Sequence, residues 1–100
     1  MTEQAFFILT ALVDEPRHGY GIVGEVSDLS HGRVDLKVGT LYGVLDRLVA
    51  DELVALDREE AHQGRLRRYF RLTDAGRDAL EAEVARQSAN ARAVTRRLRA

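Results

Sequence analysis

The residues of this chain whose types and spacing most clearly indicate a functional surface lie between positions 38 and 48. Leu41, Leu45 and Leu48 recur at spacings of four and three residues, which places them on one side of a helix. The other side is small and polar near its N-terminal end and adds an aromatic hydroxyl and an arginine: Thr40, Tyr42, Gly43, Asp46 and Arg47. A helix whose first turns must enter the major groove of DNA has reason to carry such a surface.

Three residues on this polar side are candidate DNA contacts, and each has a competing structural role. The phenol of Tyr42 could donate to a phosphate, or its ring could pack on Leu45 or on a neighbouring hairpin. Thr40 could contact a phosphate or a thymine methyl, or it could cap the start of the helix. A glycine such as Gly43 inside a helix lowers stability by roughly 0.5–1 kcal/mol relative to alanine. Either a close approach of DNA to the helix or sequence drift at an exposed site would explain why a glycine is present.

Charged residues of the same segment add further candidates. Lys37 stands just before the helix, where a cation and the first backbone amides can share a phosphate. Arg47 could contact a base or a phosphate, or it could pair with Asp51 or Glu52. Asp46 would face DNA unfavourably unless it accepts a hydrogen bond from cytosine, so we expect it at the rim of the DNA groove.

Arginine is concentrated in residues 58–71. This segment holds five basic residues against two acidic ones, whereas residues 1–36 hold two against six, and the net charge of the whole chain is only −1. A local cluster of positive charge attracts polyanions even when the total charge is near zero. Arg65, Arg67 and Arg68 are the candidate DNA contacts here, because the forked guanidinium suits phosphates and guanine edges.

Apolar periodicity and turn signals predict the elements that must position these residues. Three helices, the two strands of a hairpin and a long last helix are expected, in that order, at residues 4–13, 20–29, 37–51, 53–57, 67–72 and 73–98. Gly64 marks the tip of the hairpin, which we name the wing, and Thr73 is the predicted N-cap of the last helix. This order is typical of a mainly α (α+β) winged helix-turn-helix, whose third helix enters the major groove while the two-stranded wing lies along the adjacent backbone or minor groove.

The last helix carries an apolar seam that favours dimerisation. Its members follow a heptad spacing: Leu80, Val84, Gln87, Ala91, Val94 and Leu98. The centre of the seam is weak, because Gln87 and Ala91 supply little apolar area. A helix of roughly 25 residues spans about 37 Å, more than the diameter of about 26 Å expected for a domain of this size. Part of the helix must therefore project and needs a partner, unless it folds back on its own domain.

Several classes of function find no support in the sequence. The absence of cysteine excludes disulfides and thiolate chemistry, and no apolar run is long enough to span a bilayer. His18, His31 and His62 are far apart and lack ligand spacing, so we expect no metal and no other cofactor. No nucleophile with a base and no phosphate-binding loop can be identified, so we do not expect an enzyme. The lack of a signal-peptide pattern leads us to expect a cytoplasmic protein.

Three groups of residues make the chain resemble the PadR-like transcriptional regulators. The first is Ile8-Leu9-Thr10-Ala11-Leu12 followed by His18-Gly19-Tyr20. The second is Gly39-Thr40-Leu41-Tyr42 with Leu45 and Arg47-Leu48, and the third is Arg68-Tyr69-Phe70-Arg71-Leu72-Thr73 with Ala75-Gly76. Each group is a weak signal alone, but together they cover about residues 6–80 in the family's order and spacing. The short last helix resembles that of the smaller PadR-like subgroup.

The resemblance implies a homodimer that binds double-stranded operator DNA, usually as a repressor. We accordingly expect a DNA-binding domain over residues 1–73 and a dimerisation helix over residues 74–100. Because the first and last helices form the dimer interface in the family, Phe6 and Phe7 are expected to join the apolar seam there. Tyr20 would lie near the DNA backbone, although it could instead pack beside a turn glycine.

The resemblance also raises the question of an effector. Some members of the small subgroup bind planar drug-like molecules at the dimer interface, where tryptophans stack on the ligand. This chain has no tryptophan, so a small aromatic effector would need another binding mode. A different class of function is a winged helix retained as a protein-interaction module without operator binding, and the basic wing argues against it.

Overall fold

The computed structural model describes residues 1–100 and contains four helices and one antiparallel sheet of three strands. In chain order the elements are α1 (Glu3–Ala11), β1 (Arg17–His18), α2 (Gly19–Leu29), α3 (Val38–Ala50), β2 (Val54–His62), β3 (Arg65–Leu72) and α4 (Asp74–Arg99). The predicted winged helix-turn-helix order is confirmed, and the wing consists of β2 and β3. None of the four helices has both the length and the apolar character needed to cross a membrane.

A single hydrophobic core holds the first three helices together. From α3 it receives Leu41, Leu45 and Leu48, which are 1%, 0% and 5% exposed. They belong to a cluster of 13 buried residues that also includes apolar side chains of α1 and α2. Burying a leucine contributes about 1.5–3 kcal/mol, so these three residues decide which side of α3 remains outside. The predicted inner face of this helix is confirmed.

Side chains define where three of the helices begin. Thr2, His18 and Thr73 each precede a helix and accept a hydrogen bond from a backbone N–H of its first turn. The predicted N-cap, Thr73, is thereby confirmed. The start of α3 differs, because its N-cap residue Lys37 makes no side-chain bond to the helix. The alternative role of Thr40 as the cap of α3 is therefore wrong.

The sheet is larger than the two-stranded wing that the sequence predicts. A third strand, β1, pairs with β3, so that Arg17 lies opposite Phe70 and His18 lies opposite Tyr69. The two wing strands also extend beyond their predicted bounds, because their outer halves pair with each other up to the hairpin turn. Since β1 is only two residues long, the outer half of β3 keeps a free edge.

The wing ends in a tight turn at Gln63 and Gly64. Both residues have a positive φ, at 52° and 78°, which is the combination found in two-residue hairpin turns. Glycine adopts this conformation without steric cost, which explains why Gly64 marks the tip as predicted. The turn is shorter than the polar loop expected over residues 59–64, because residues 59–62 belong to β2.

The last helix starts in close contact with the sheet and then leaves the body of the protein. A Cβ at Gly76 would lie 2.1 Å from the carbonyl oxygen of Leu53, so only glycine allows α4 this close an approach. Beyond Ser88 every residue of the helix is exposed. The molecule accordingly measures 61 Å along its longest axis against 27 and 21 Å across. The expected projection of α4 is confirmed, and the alternative in which it folds back along its whole length is wrong.

Candidate nucleic-acid interface

A groove lies between the outer half of β3 and the N-terminal end of α2, and we name it the wing groove. Its volume is about 660 Å³. The residues that line it are His18, Gly19, Tyr20, Tyr42, His62, Gln63, Arg65, Leu66, Arg67 and Arg68. They include three arginines and two histidines but no acidic residue. A concave surface of this charge attracts the phosphates of nucleic acids.

Tyr42 is the residue of α3 that forms part of the groove wall. It is half-buried, and its ring lies so close to Gly19 that a Cβ there would come within 2.7 Å of the Tyr42 hydroxyl oxygen. The guanidinium carbon of Arg68 lies 5.8 Å from the centre of the same ring, which is within the range of a cation–π contact. The hydroxyl takes part in no hydrogen bond within the chain. Packing therefore holds the ring while its oxygen stays available as a donor.

The three arginines of the wing groove keep their charge free of acidic partners. Ion pairs in the wing involve other residues: Arg58 binds Glu60 at 2.7 Å and Asp57 at 2.8 Å. The Arg58 guanidinium carbon also lies 4.0 Å from the centre of the Tyr69 ring. Exposed pairs of this kind add little stability. Their effect here is to occupy two carboxylates of β2 and leave the groove arginines available to an external anion.

His18 connects the start of α2 to the wing. Its Nδ1 accepts a hydrogen bond from the backbone N–H of Gly21 at 3.3 Å. Its Nε2 lies 3.4 Å from Nη1 of Arg67, and its ring meets that of Tyr69 edge-on with the ring centres 5.3 Å apart. Burial, followed by the positive charges of Arg67 and His62, lowers the pKa of His18 below its ordinary value of 6.5. The imidazole is therefore neutral near pH 7.

The exposed side of α3 carries the other candidates of that helix. Thr40, Gly43 and Arg47 are exposed, as is Lys37 at the N-cap. No heavy atom lies within 4 Å of a Cβ built at Gly43, so the chain itself does not require a glycine there. Arg47 takes part in none of the ion pairs of the structure, so its alternative pairing with acidic residues at the end of α3 is wrong.

The nine predicted DNA contacts thus fall on two surfaces. Five line the wing groove: Tyr20, Tyr42, Arg65, Arg67 and Arg68. Four lie on α3 or just before it: Lys37, Thr40, Gly43 and Arg47. Because 76% of Tyr20 is exposed, the alternative in which its ring packs beside the turn is wrong.

Five residues of the wing groove were not among the predicted DNA contacts. They are His18, Gly19, His62, Gln63 and Leu66. The signal for His18 was its place beside Tyr20, but its approach to Arg67 depends on the unforeseen pairing of β1 with β3. Leu66 is 71% exposed among the wing arginines, and no local pattern marks it.

The predicted dimer residues divide between the body of the chain and an exposed stripe on α4. Leu80 belongs to the core, and the half-buried rings of Phe6 and Phe7 meet edge-on with centres 5.3 Å apart. The members of the α4 stripe are Val84, Gln87, Ala91, Val94 and Leu98, and all five are exposed. The two valines and Leu98 are 47%, 58% and 79% exposed, so a sizeable apolar area lacks cover within the chain.

Glu83 lies beside this stripe and was not foreseen. Only 8% of it is exposed. Its carboxylate accepts hydrogen bonds from the Arg86 guanidinium and from the Gln87 amide, the latter at 3.0 Å. These bonds, with Arg86 the larger cause, lower the pKa of Glu83 to about 2.

Known proteins share both the sequence pattern and the fold. The model of the transcriptional regulator PadR-like family matches residues 8–82. An uncharacterised 37.1 kDa protein in transposon TN4556 of Streptomyces fradiae is 45% identical over 77 residues, which are 77% of this chain and 21% of that protein. The chain therefore spans about a fifth of the length of that relative. An uncharacterised protein X of Lysinibacillus sphaericus is 31% identical over 77 residues, which are 77% of this chain and 71% of that protein.

Solved structures with the same fold include a PadR family transcriptional regulator from Eggerthella lenta. It is 26% identical with a TM-score of 0.79, over 94% of this chain and 80% of that one. PadR of Bacillus subtilis, solved in complex with operator DNA, is 20% identical with a TM-score of 0.74, over 84% of this chain and 47% of that one. Since the family model covers most of the chain, the protein belongs to the transcriptional regulator PadR-like family.

Proposed function

We propose that this chain is a sequence-specific DNA-binding regulator that places α3 in the major groove and the wing along the adjacent backbone. The observation that carries the proposal is the wing groove, whose walls hold three unpaired arginines and no carboxylate beside the exposed polar side of α3. Phosphates that meet these arginines release counterions, which favours binding. The complex of Bacillus subtilis PadR, a protein of the same fold, with operator DNA supports DNA as the partner.

The proposed active form is a homodimer in the cytoplasm. The exposed stripe of α4, from Val84 to Leu98, would pair with its copy, and Phe6 and Phe7 of α1 would close the interface. On this proposal residues 1–73 bind DNA and residues 74–100 dimerise. Two α3 helices related by a two-fold axis would read a pseudo-palindrome with half-sites one DNA turn, or a multiple of it, apart.

We further propose that the dimer acts as a repressor and that a small aromatic compound releases it. Repression is what the resemblance to the family implies, and the aromatic pair Phe6–Phe7 next to α4 is the feature that supports an effector. A compound that binds only the folded dimer raises its thermal unfolding temperature. A thermal-shift screen of aromatic compounds, followed by displacement of bound DNA, tests the effector directly.

The DNA assignment is tested by selecting duplexes from a random library and titrating the best one. Tyr42→Ala and Arg65→Ala should each weaken binding by about tenfold per protomer without unfolding the protein. Arg99→Ala at the far end of α4 is the matched control, since it removes an exposed arginine far from the groove. If Tyr42→Ala and Arg65→Ala both bind as tightly as the unaltered chain, the DNA assignment is refuted. No duplex binding by the unaltered chain at low salt would favour a protein-interaction module instead.

A further inference from the structure

We propose that His18 and Arg67 jointly bind one phosphate of the DNA backbone, with His18 donating a hydrogen bond from Nε2 as a neutral imidazole. The proposal rests on the DNA-binding function above and names the group that the inner end of the wing groove takes. It gives a role in binding to a histidine that otherwise caps α2 and packs against Tyr69.

The contacts of His18 determine which ring nitrogen carries the proton. A neutral imidazole has one N–H and one lone pair in the ring plane. Both ring nitrogens of His18 face a donor, the Gly21 N–H at Nδ1 and the Arg67 guanidinium at Nε2. We assign the lone pair to Nδ1, because the helix backbone fixes the Gly21 N–H whereas the Arg67 side chain can turn, and the proton is then on Nε2. The lowered pKa of His18, caused by burial and then by Arg67 and His62, keeps the ring in this neutral form.

The second partner of the site is also a donor. Arginine has five N–H groups and no acceptor. Its Nη1 lies 3.4 Å from Nε2 of His18, so two donors converge with no acceptor between them. An oxygen of an anion placed there would accept from both, and its bond to the guanidinium would be charge-assisted. The other ionisable groups near His18 are His62 and Tyr69 on the wing and Glu15 and Arg17 on its opposite side.

The surroundings favour a phosphodiester over a single carboxylate. No acidic residue lines the wing groove, and Arg65 and Arg68 continue the positive wall beyond Arg67. Tyr42, whose hydroxyl makes no hydrogen bond within the chain, lines the same groove. A groove of about 660 Å³ lined by several donors suits a ligand with several acceptor groups, such as successive phosphates of one strand, whereas one carboxylate would satisfy only some of these donors.

Two variants of the full chain test the site against a duplex selected by the unaltered protein. Asparagine is a good N-cap, so His18→Asn keeps the cap of α2 but lacks the Nε2 donor. It should bind about tenfold more weakly per protomer, with an unchanged salt dependence, while the protein stays folded and loses only the stability of the edge-on contact with Tyr69. Arg67→Gln should lose at least as much affinity, and the slope of log affinity against log salt should fall by about one per protomer.

A series of duplexes, each with a single methylphosphonate, locates the contact. Such a replacement removes the charge of one phosphate. It should weaken binding by the unaltered protein at one position per half-site, and at that position it should not affect a variant that combines His18→Asn with Arg67→Gln. If the unaltered chain binds the duplex and both single variants bind equally well, the His18–Arg67 site is refuted while the proposed function stands. If the unaltered chain binds no duplex, both are refuted.

Nitrogen NMR of the free protein should show the Nε2–H tautomer of His18. Observation of the Nδ1–H tautomer would overturn the proposal.

Discussion

Replacing Gly43 with alanine should make the protein more stable and its DNA binding weaker. Gly43 lies inside α3 and is exposed, and a Cβ added there meets no heavy atom of the chain within 4 Å. Replacing glycine with alanine in an exposed helix interior raises the free energy of unfolding by about 1 kcal/mol. For a domain of this size, that raises the unfolding temperature by about 4–8 °C. In the proposed complex this side of α3 faces DNA, so an added methyl group would instead push the helix away from the groove. Losing one close base contact costs about 1–3 kcal/mol per protomer, or roughly tenfold or more in affinity.

The opposite signs of the two effects make the experiment decisive. Gly24→Ala in α2 is the matched control, because a Cβ there also meets nothing within 4 Å and Gly24 does not line the wing groove. Both variants should unfold at a higher temperature in calorimetry, but only Gly43→Ala should lose affinity in fluorescence anisotropy with a selected duplex. A more stable Gly43→Ala protein that binds DNA as tightly as the unaltered chain would refute the placement of this side of α3 against DNA.

Three further substitutions test the packing, the dimer and the buried carboxylate. Gly76→Ala should destabilise the fold by about 1–3 kcal/mol in urea, because its Cβ would lie 2.1 Å from the carbonyl oxygen of Leu53; an unchanged midpoint contradicts this contact. Val94→Asp places a charge in the exposed stripe of α4 and should yield monomers in sedimentation velocity, whereas a persistent dimer argues against the interface. Ionised Glu83 has a folded-state pKa of about 2 against an ordinary 4.5, so it stabilises the fold above pH 4.5 and this contribution is lost as the pH falls toward about 2. Glu83→Gln should therefore flatten the acid dependence of stability in that range, and an unaltered acid profile would show that the bonds to Glu83 do not matter.

Local rules predicted the helical part of the candidate site. The spacing of the leucines of α3 identified its buried side, and therefore its exposed one, because a helical period is a property of neighbouring residues. The roles of Thr73 and Gly64 could be predicted equally well, since an N-cap and a tight turn each depend on only a few consecutive residues.

The wing groove could not be predicted in the same way. Arg17 and His18 are two polar residues after a proline and carry no strand pattern. They form β1 only because β3 offers them an edge, and that edge comes from a distant part of the chain. Which arginines remain free depends likewise on Arg58, whose two ion pairs within the wing are not implied by sequence spacing alone.

Affinity and specificity have different sources in the proposed complex. The wing groove supplies guanidinium and phenol groups, and contacts from these groups to phosphates carry no base sequence. On α3 only Arg47 offers the forked donor that distinguishes guanine, while Thr40 offers a methyl and a hydroxyl. One such arginine per subunit is too little to define an operator, so the separation of the two α3 helices must carry much of the selectivity. Because α4 would set that separation in the proposed dimer, changes along its stripe should alter the preferred half-site spacing as well as the stability of the dimer.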